Sequence, residues 1–389
     1  MKNYQKIKVA DIFNTDYGAY RLLRTRVQKI SKDEKFLNYI ICPSGEWSEK
    51  MKREGITVIN VNLSNSLTPT QILKEIKDLK KIFIDFQIDV VHTHTSKVGA
   101  TGRIAAKRAK VPLIIHQVHG FHFTQFTGIQ KKVFEKIESF LARYSNIMLF
   151  QNIEEYQYCI NNKYSQHTKL IYIGNGIPFE EFKDYLTKEK KYNPGEKRIA
   201  CIARFEDVKN HKMIFSAVEY LIKNIHYNDF ELNLYGEGKE ENKLKKMAEA
   251  LNIDEYINFV GSLDRKEIIK EIFNSDLSVL TSYKEGKPRA LMESSALGVP
   301  VVATDVIGTR EVVKDGVTGY LVSLNDYKSF ANKMYELLTN EKRWEEFSKN
   351  AKEVAKKEFD ENNVVNQLKI IYNSVTTQKE NPKNKGPII

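Results

Sequence analysis

The chain has 389 residues, 41% hydrophobic and 29% charged, a soluble globular composition long enough for two or three domains. Three widely spaced cysteines, Cys42, Cys159 and Cys201, fit neither a disulfide framework nor a zinc-ligand spacing and favour a reducing compartment. The net charge of +11 is uneven: residues 1–190 carry 30 Lys+Arg against 19 Asp+Glu, whereas residues 191–389 carry 31 of each. The halves are therefore expected to face different partners, and a basic half suits nucleic acid, an anionic membrane or a phosphorylated substrate. No apolar run approaches the roughly 18 residues that span a bilayer. The start, MKNYQKIKVADIF, reads as no signal peptide, because it has no apolar h-region or small-residue cleavage site.

In chain order, KIKVADIF, FLNYIIC, ITVINV, IDVVH, VPLIIH and NIMLFQ read as strands, with 3.6-period helical patterns between them. KRIACIAR, FELNLYG, YINFVG, LSVLTS and VPVVAT repeat the rhythm in the second half. Such alternation predicts an α/β protein with two parallel-sheet domains. The charged stretch KDYLTKEKKYNPGEK reads as a linker between domains at 1–185 and 186–358. A helix over 359–375 follows, and the tail 376–389 is expected to be disordered.

Four segments carry candidate chemistry. Asn14-Thr15-Asp16-Tyr17-Gly18-Ala19-Tyr20 follows the first strand and reads as a glycine turn before a helix. It is neither GxGxxG nor a P-loop. His92 and His94 end one strand, and His116, His119 and His122 follow another. A strand-to-loop context without a carboxylate gives three such histidines poor convergence on a metal. One of them is expected to meet a hydroxyl as a neutral partner. Arg204 and Lys209 sit on the first strand–helix loop of the second half, where a fork and a point charge suit a diphosphate. The densest signal is Glu285-Gly286-Lys287-Pro288-Arg289 through Glu293, read as strand, glycine turn, short helix. Pro288 suits the first helical turn, and the helix N-terminus suits an anion. No Asp-x-Asp triplet occurs, so a metal-chelated diphosphate is not expected.

These residues together resemble glycosyltransferase family 4, over almost the whole chain. Glu285 to Glu293 has that family's E-x7-E spacing, IARFEDVKN is similar to its GR-x4-K-N/G loop, and IGNGIPFEEF to its NGID-type segment. VHTHTSKVGATGRIAAKRAKVPLIIHQVHGFHF resembles the branch that builds capsule and O-antigen glycans on undecaprenyl diphosphate. The resemblance implies a GT-B fold: two Rossmann-like domains facing a cleft, with the C-terminal helix crossing back to the first. It also implies a retaining transfer from a UDP-sugar to a lipid-linked glycan acceptor, without protein nucleophile, metal or other cofactor. Carried over residue by residue, Arg204 and Lys209 hold the donor diphosphate, Glu285 contacts the sugar and Glu293 the ribose. The backbone of Gly286, Lys287, Pro288 and Arg289 lines sugar and phosphate, His119 reaches the sugar, and the Gly18 turn admits diphosphate and acceptor.

The weighed alternatives are a transferase with a small soluble acceptor, a GT-B epimerase and a nucleic-acid-binding protein. The basic residues fall on amphipathic helix faces rather than among interleaved aromatics, so nucleic acid is not expected. GIQKKVFEKIESFLAR carries an apolar stripe at Ile129, Val133, Phe134, Ile137, Phe140 and Leu141 with lysines beside it. The stripe reads either as a core-packing face or as a peripheral contact with the inner, cytoplasmic face of a bacterial membrane through the first domain.

Overall fold

The computed structural model describes residues 6–64, 66–121, 128–164 and 167–380. The chain forms two compact units: residues 1–174 with 362–389, and residues 175–361. His122, and residues 381–389 of the tail expected to be disordered, lie outside the described residues.

In the first unit, β1 (Ile7–Ile12), α1 (Asp16–Ser31), β2 (Phe36–Cys42), α2 (Glu46–Arg53), β3 (Val58–Asn60), α3 (Pro69–Asp85) and β4 (Val90–His94) alternate along the chain. They continue with α4 (Ser96–Arg108), β5 (Leu113–Val118), α5 (Gly128–Ala142), β6 (Ile147–Phe150), α6 (Ile153–Asn161) and β7 (Lys169–Tyr172). The strands form one parallel sheet in the order β3-β2-β1-β4-β5-β6-β7. Strand side chains alternate between two cores, as the two-residue pleat requires. Val9, Val90, Leu113 and Ile115 face one core, and Ala10, Val91 and Ile114 the other, with α3 and α4.

The second unit holds α7 (Lys183–Leu186), β8 (Lys197–Ile202), α8 (His211–Tyr220), β9 (Phe230–Tyr235), α9 (Glu241–Leu251), β10 (Ile257–Gly261) and α10 (Arg265–Asn274). After these come β11 (Leu277–Leu280), α11 (Arg289–Ala296), β12 (Val301–Thr304), β13 (Gly319–Val322), α12 (Tyr327–Thr339) and α13 (Glu341–Glu358). Its sheet is parallel in the order β10-β9-β8-β11-β12-β13. α14 (Glu361–Glu380) then packs on the first unit's sheet, burying Val364, Val365, Leu368, Ile371, Tyr372 and Val375. Each such side chain contributes roughly 1.5–3 kcal/mol of apolar burial.

Three sequence expectations change. The division falls after Gly174 rather than at 185, because Ile177 and Phe182 belong to the second unit's core and Phe179, Tyr185 and Leu186 pack on it. The charged stretch is no linker: the Tyr192 hydroxyl donates to the Leu338 carbonyl at 2.6 Å, and its ring meets Trp344. The C-terminal helix continues to Glu380, through the first residues of the expected tail. The strands β7 and β13, both at sheet edges, are the two that the sequence runs do not name.

Candidate active site

Each sheet reverses its strand order once, at β1/β4 in the first unit and at β8/β11 in the second. Loops at the carboxyl ends of such neighbouring strands diverge and leave a crevice, which is where open parallel sheets bind ligands. The predicted residues gather beyond these two points.

In the second unit, β8 leads into Arg204–Lys209 and β11 into Ser282–Arg289. Thr281 donates to the Asn210 carbonyl at 2.8 Å, and the Tyr283 amide to the Val208 carbonyl at 2.9 Å, joining the two loops. This seats Lys209 Nζ 2.6 Å from Glu285 Oε1, with Ser282 Oγ donating to the same oxygen at 2.5 Å. Arg204 does not join them. Its guanidinium pairs with Glu206 at 2.7 Å and its side chain is 64% exposed. A Cβ on Gly308 would overlap the Gly286 carbonyl oxygen, so that glycine lets the 307–308 backbone close over the Glu285–Gly286 turn. The Glu285 amide donates to Ile307 there.

Pro288 is the N-cap of α11, one position ahead of the expected helical turn. Its ψ of 114° keeps it extended, and the helix begins at Arg289. The Lys287 side chain is buried, with Nζ 3.6 Å from Glu311 and over the Phe359 ring. Only its backbone is left to line a ligand. Glu293 is buried on α11, with Oε1 2.8 Å from Arg265 Nη1 and 3.7 Å from Arg289 Nε. Arg265 also donates from Nε to Glu181 at 2.6 Å. Two carboxylates hold the Arg265 guanidinium firmly charged, against the opposing effect of burial. Arg265 escaped the sequence reading. Its only local signal, the Asp264–Glu267 capping box, marks a helix start and nothing more.

In the first unit Gly18 lies within the first turn of α1 rather than in a loop: Thr15 caps the helix and accepts from the Gly18 amide at 3.1 Å. A Cβ there would strike the Phe13 ring. Phe13 in turn stacks on His94 and meets His119 edge-on. His94 Nε2 lies 3.0 Å from Asp11 Oδ1, and His94 Nδ1 lies 2.9 Å from His119 Nε2. His92 Nδ1 sits 3.3 Å from the same Asp11 oxygen and 2.8 Å from the Tyr372 hydroxyl of α14. Asp11, His92 and His94 are fully buried, whereas His119 is partly exposed. Burial pushes the pKa of all three histidines well below the usual value, and that of Asp11 up. Asp11 was also missed. A lone aspartate in the apolar run KIKVADIF was the available signal, since a carboxylate there must find a partner.

Asp11, His92 and His94 bring one ligand-type atom each within 4.8 Å of one another. Those atoms already hydrogen-bond to one another, to Tyr372 and within the His119 chain. His116 stands apart, bonded to Thr93 and facing Glu138.

Residues 183–354 match the family described as glycosyl transferases group 1, and residues 24–152 match glycosyl transferase 4-like proteins. The chain is a glycosyltransferase whose second half matches the group 1 family. A relative in Escherichia coli, UDP-Gal:alpha-D-GlcNAc-diphosphoundecaprenol alpha-1,3-galactosyltransferase, is 28% identical over 97% of this chain and 99% of its own length. A second, in Campylobacter jejuni, is N,N'-diacetylbacillosaminyl-diphospho-undecaprenol alpha-1,3-N-acetylgalactosaminyltransferase, 26% identical over 90% of this chain and 95% of its own. Anabaena HepE in complex with UDP-glucose superposes with a TM-score of 0.75 at 18% identity, covering 93% of this chain and 98% of that one. A Rickettsia africae glycosyltransferase gives 0.76 at 20% identity, covering 98% and 100%. The fold class of this glycosyltransferase is GT-B, built from two Rossmann-like parallel-sheet domains.

Proposed function

We propose that this glycosyltransferase moves a hexose or N-acetylhexosamine from a UDP-sugar to a polyprenyl-diphosphate-linked glycan, with retention, in bacterial surface-polysaccharide assembly. The observation that carries the reading is Lys209 held against Glu285 beyond β8 and β11. The relatives' names supply the substrate classes: both printed above act on diphospho-undecaprenol glycans.

The residues divide the work. Lys209, Arg204 and the amide end of α11 offer positive charge to the diphosphate as it leaves. Glu285 reads the sugar and Glu293 the ribose hydroxyls, while the backbone of Gly286–Arg289 lines both. The leaving diphosphate takes the acceptor's proton, so no protein nucleophile is needed. Cation and dipole neutralise that charge, and we propose that no metal is required.

Lys209 is paired with Glu285, so an incoming diphosphate competes with that carboxylate. Lys209→Ala is therefore expected to weaken UDP binding by about 1.5–3 kcal/mol, the range for a hydrogen bond to a charged group. Glu285→Ala frees Lys209, so UDP binding should hold or tighten while turnover of the intact donor falls about a hundredfold or more. Calorimetry with UDP and a radiolabelled-donor assay with and without chelator test this. Equal UDP affinity in wild type and Lys209→Ala, or turnover restored only by magnesium or manganese, rules the reading out.

Peripheral membrane contact through the first unit is part of the proposal. No helix among the described residues is long and apolar enough to cross a membrane. On α5, Ile129 is 80% exposed, and Val133, Phe134, Ile137 and Phe140 are exposed as well; only Leu141 and Ala142 are buried. Lys131, Lys132, Lys136 and Arg143 share that helix or its end. An exposed apolar face flanked by cations suits a helix lying in the plane of an anionic leaflet. The charge follows the units: the first carries 31 Lys+Arg against 16 Asp+Glu, the second 30 against 34. The full chain should co-sediment with anionic vesicles, less so at high salt, and Ile129→Glu with Ile137→Glu should abolish it. Retention indifferent to both salt and substitutions would remove this part.

A further inference from the structure

The first-unit cluster contains more than His119, the histidine that the family resemblance brings to the donor sugar. His119 is the partly exposed end of a chain that runs inward through His94 to the carboxylate of Asp11, both buried. The links measure 2.9 Å and 3.0 Å, and they join residues 25 and 83 positions apart in sequence. Donor and acceptor capacity fixes the protons along such a chain. Arg26 and His92 favour the ionised Asp11 against the larger effect of burial; an ionised carboxylate only accepts, so His94 then carries its hydrogen on Nε2. A neutral His94 then has a lone pair on Nδ1, and His119 must donate to it from Nε2.

We propose that Asp11 and His94 are positioning residues that lock His119 in its Nε2–H tautomer, which leaves His119 Nδ1 as an acceptor for a hydroxyl of the donor sugar. The inference rests on the proposed glycosyl transfer and on the sugar contact that the family resemblance implies for His119. It goes beyond it in stating which nitrogen works and what sets it.

Other contacts agree with the assignment. Phe13 packs against both His94 and His119, which holds the two rings in register. His92 and Tyr372 close the inner end, so α14 also buttresses the chain. Burial keeps the histidines neutral at neutral pH, as the proton count requires. An imidazole free to switch tautomer would present a donor for part of the time, where a hydroxyl donor needs an acceptor. A fixed tautomer selects for a hydroxyl at that sugar position and disfavours a substituent without a hydrogen to give.

Imidazole nitrogen NMR on the full chain, labelled with 15N-histidine, reads the tautomer directly and needs no substrate. Wild type should show His119 as the Nε2–H form, assigned by its loss in His119→Gln. In His94→Phe, which keeps an aromatic ring beside Phe13, His119 should become a tautomer mixture. His94→Gln, whose amide can both accept and donate, should restore most of the fixed form. Turnover should fall roughly tenfold to a hundredfold in His94→Phe with UDP affinity unchanged, the range seen when imidazoles at metal sites lose their outer partners. A wild-type His119 in the Nδ1–H form, or one whose tautomer His94→Phe leaves unaltered, overturns the proposal. The wild-type spectrum decides even where the variant does not fold. A fixed Nε2–H form together with full turnover in His119→Gln would instead overturn the sugar contact on which the inference rests.

Discussion

Acidification from pH 7.5 to 5 should unfold the first unit well before the second. His92, His94 and His116 are buried, and burial holds each far below the pKa near 6.5 that an unfolded histidine has. Above pH 6.5 both folded and unfolded chains carry them neutral, and their contribution to stability is complete. As the pH falls through 6.5, the unfolded chain takes up protons that the folded chain refuses, and stability drops by about 1.4 kcal/mol per pH unit for each histidine. These three give roughly 4 kcal/mol per unit, a large share of the 5–15 kcal/mol typical of a domain, and the partly exposed His119, lowered likewise, adds to it. Asp11 opposes this, because a carboxyl raised by burial regains stability as it protonates, but it is one group against three. The second unit holds one such histidine, His211, lowered to about 4 by burial and by Lys209. Each unit has one tryptophan, Trp47 in the first and Trp344 in the second, so the Trp47→Phe and Trp344→Phe variants report on the units separately. Urea midpoints from Trp47 should fall steeply between pH 6.5 and 5, and those from Trp344 gently. Equal slopes, or a flat Trp47 midpoint, would contradict the burial assignment.

Arg265→Met should destabilise the second unit by about 3–5 kcal/mol, the cost of removing one partner of a buried ion pair. The guanidinium bridges Glu181 at 2.6 Å and Glu293 at 2.8 Å and lies over the Phe182 ring. Without it the buried Glu293 carboxylate still has Arg289 3.7 Å away, which places the effect towards the lower end of that range. Lysine should recover little, because a single ammonium cannot serve two carboxylates as a planar fork does. Arg265→Met combined with Glu293→Gln should recover part of the loss by removing the stranded charge. Denaturation followed at Trp344 gives the stabilities, and UDP calorimetry gives the effect on the ribose side. A cost below about 1 kcal/mol for Arg265→Met would mean that the pair behaves as an exposed surface bridge.

Much of this protein was written locally. Eleven of its strands and the parallel architecture follow from short β-type runs alternating with helical periods, because both faces of a parallel sheet are buried and the runs are near-continuously apolar. Glu285, Gly286, Pro288 and Glu293 were legible as a turn and a short helix, since glycine and proline punctuate the chain whatever surrounds them. The histidines could be placed at strand ends by the same counting. Charge asymmetry was legible too, and it sharpens once the first unit is bounded at Gly174 and takes in residues 362–389.

The partners were not legible, because they are set by strand order and register rather than by spacing. Lys209 meets Glu285 across 76 positions, Arg265 meets Glu181 across 84, and Asp11 meets His94 across 83. The first and last of these pairs depend on two strands lying side by side at a switch in sheet order, Arg265 meets Glu181 away from either switch, and nothing in the local segments specifies any of them. The apolar stripe of α5 makes the same point. Its period is the same for a core face and for an exposed one, and only the packing of the first unit left Ile129, Val133 and Ile137 facing solvent. Sequence alone marked most of the side chains that could do chemistry, Asp11 and Arg265 excepted; the crossovers between parallel strands decided which of them touch, because they bring the carboxyl ends of distant strands together at one edge of each sheet.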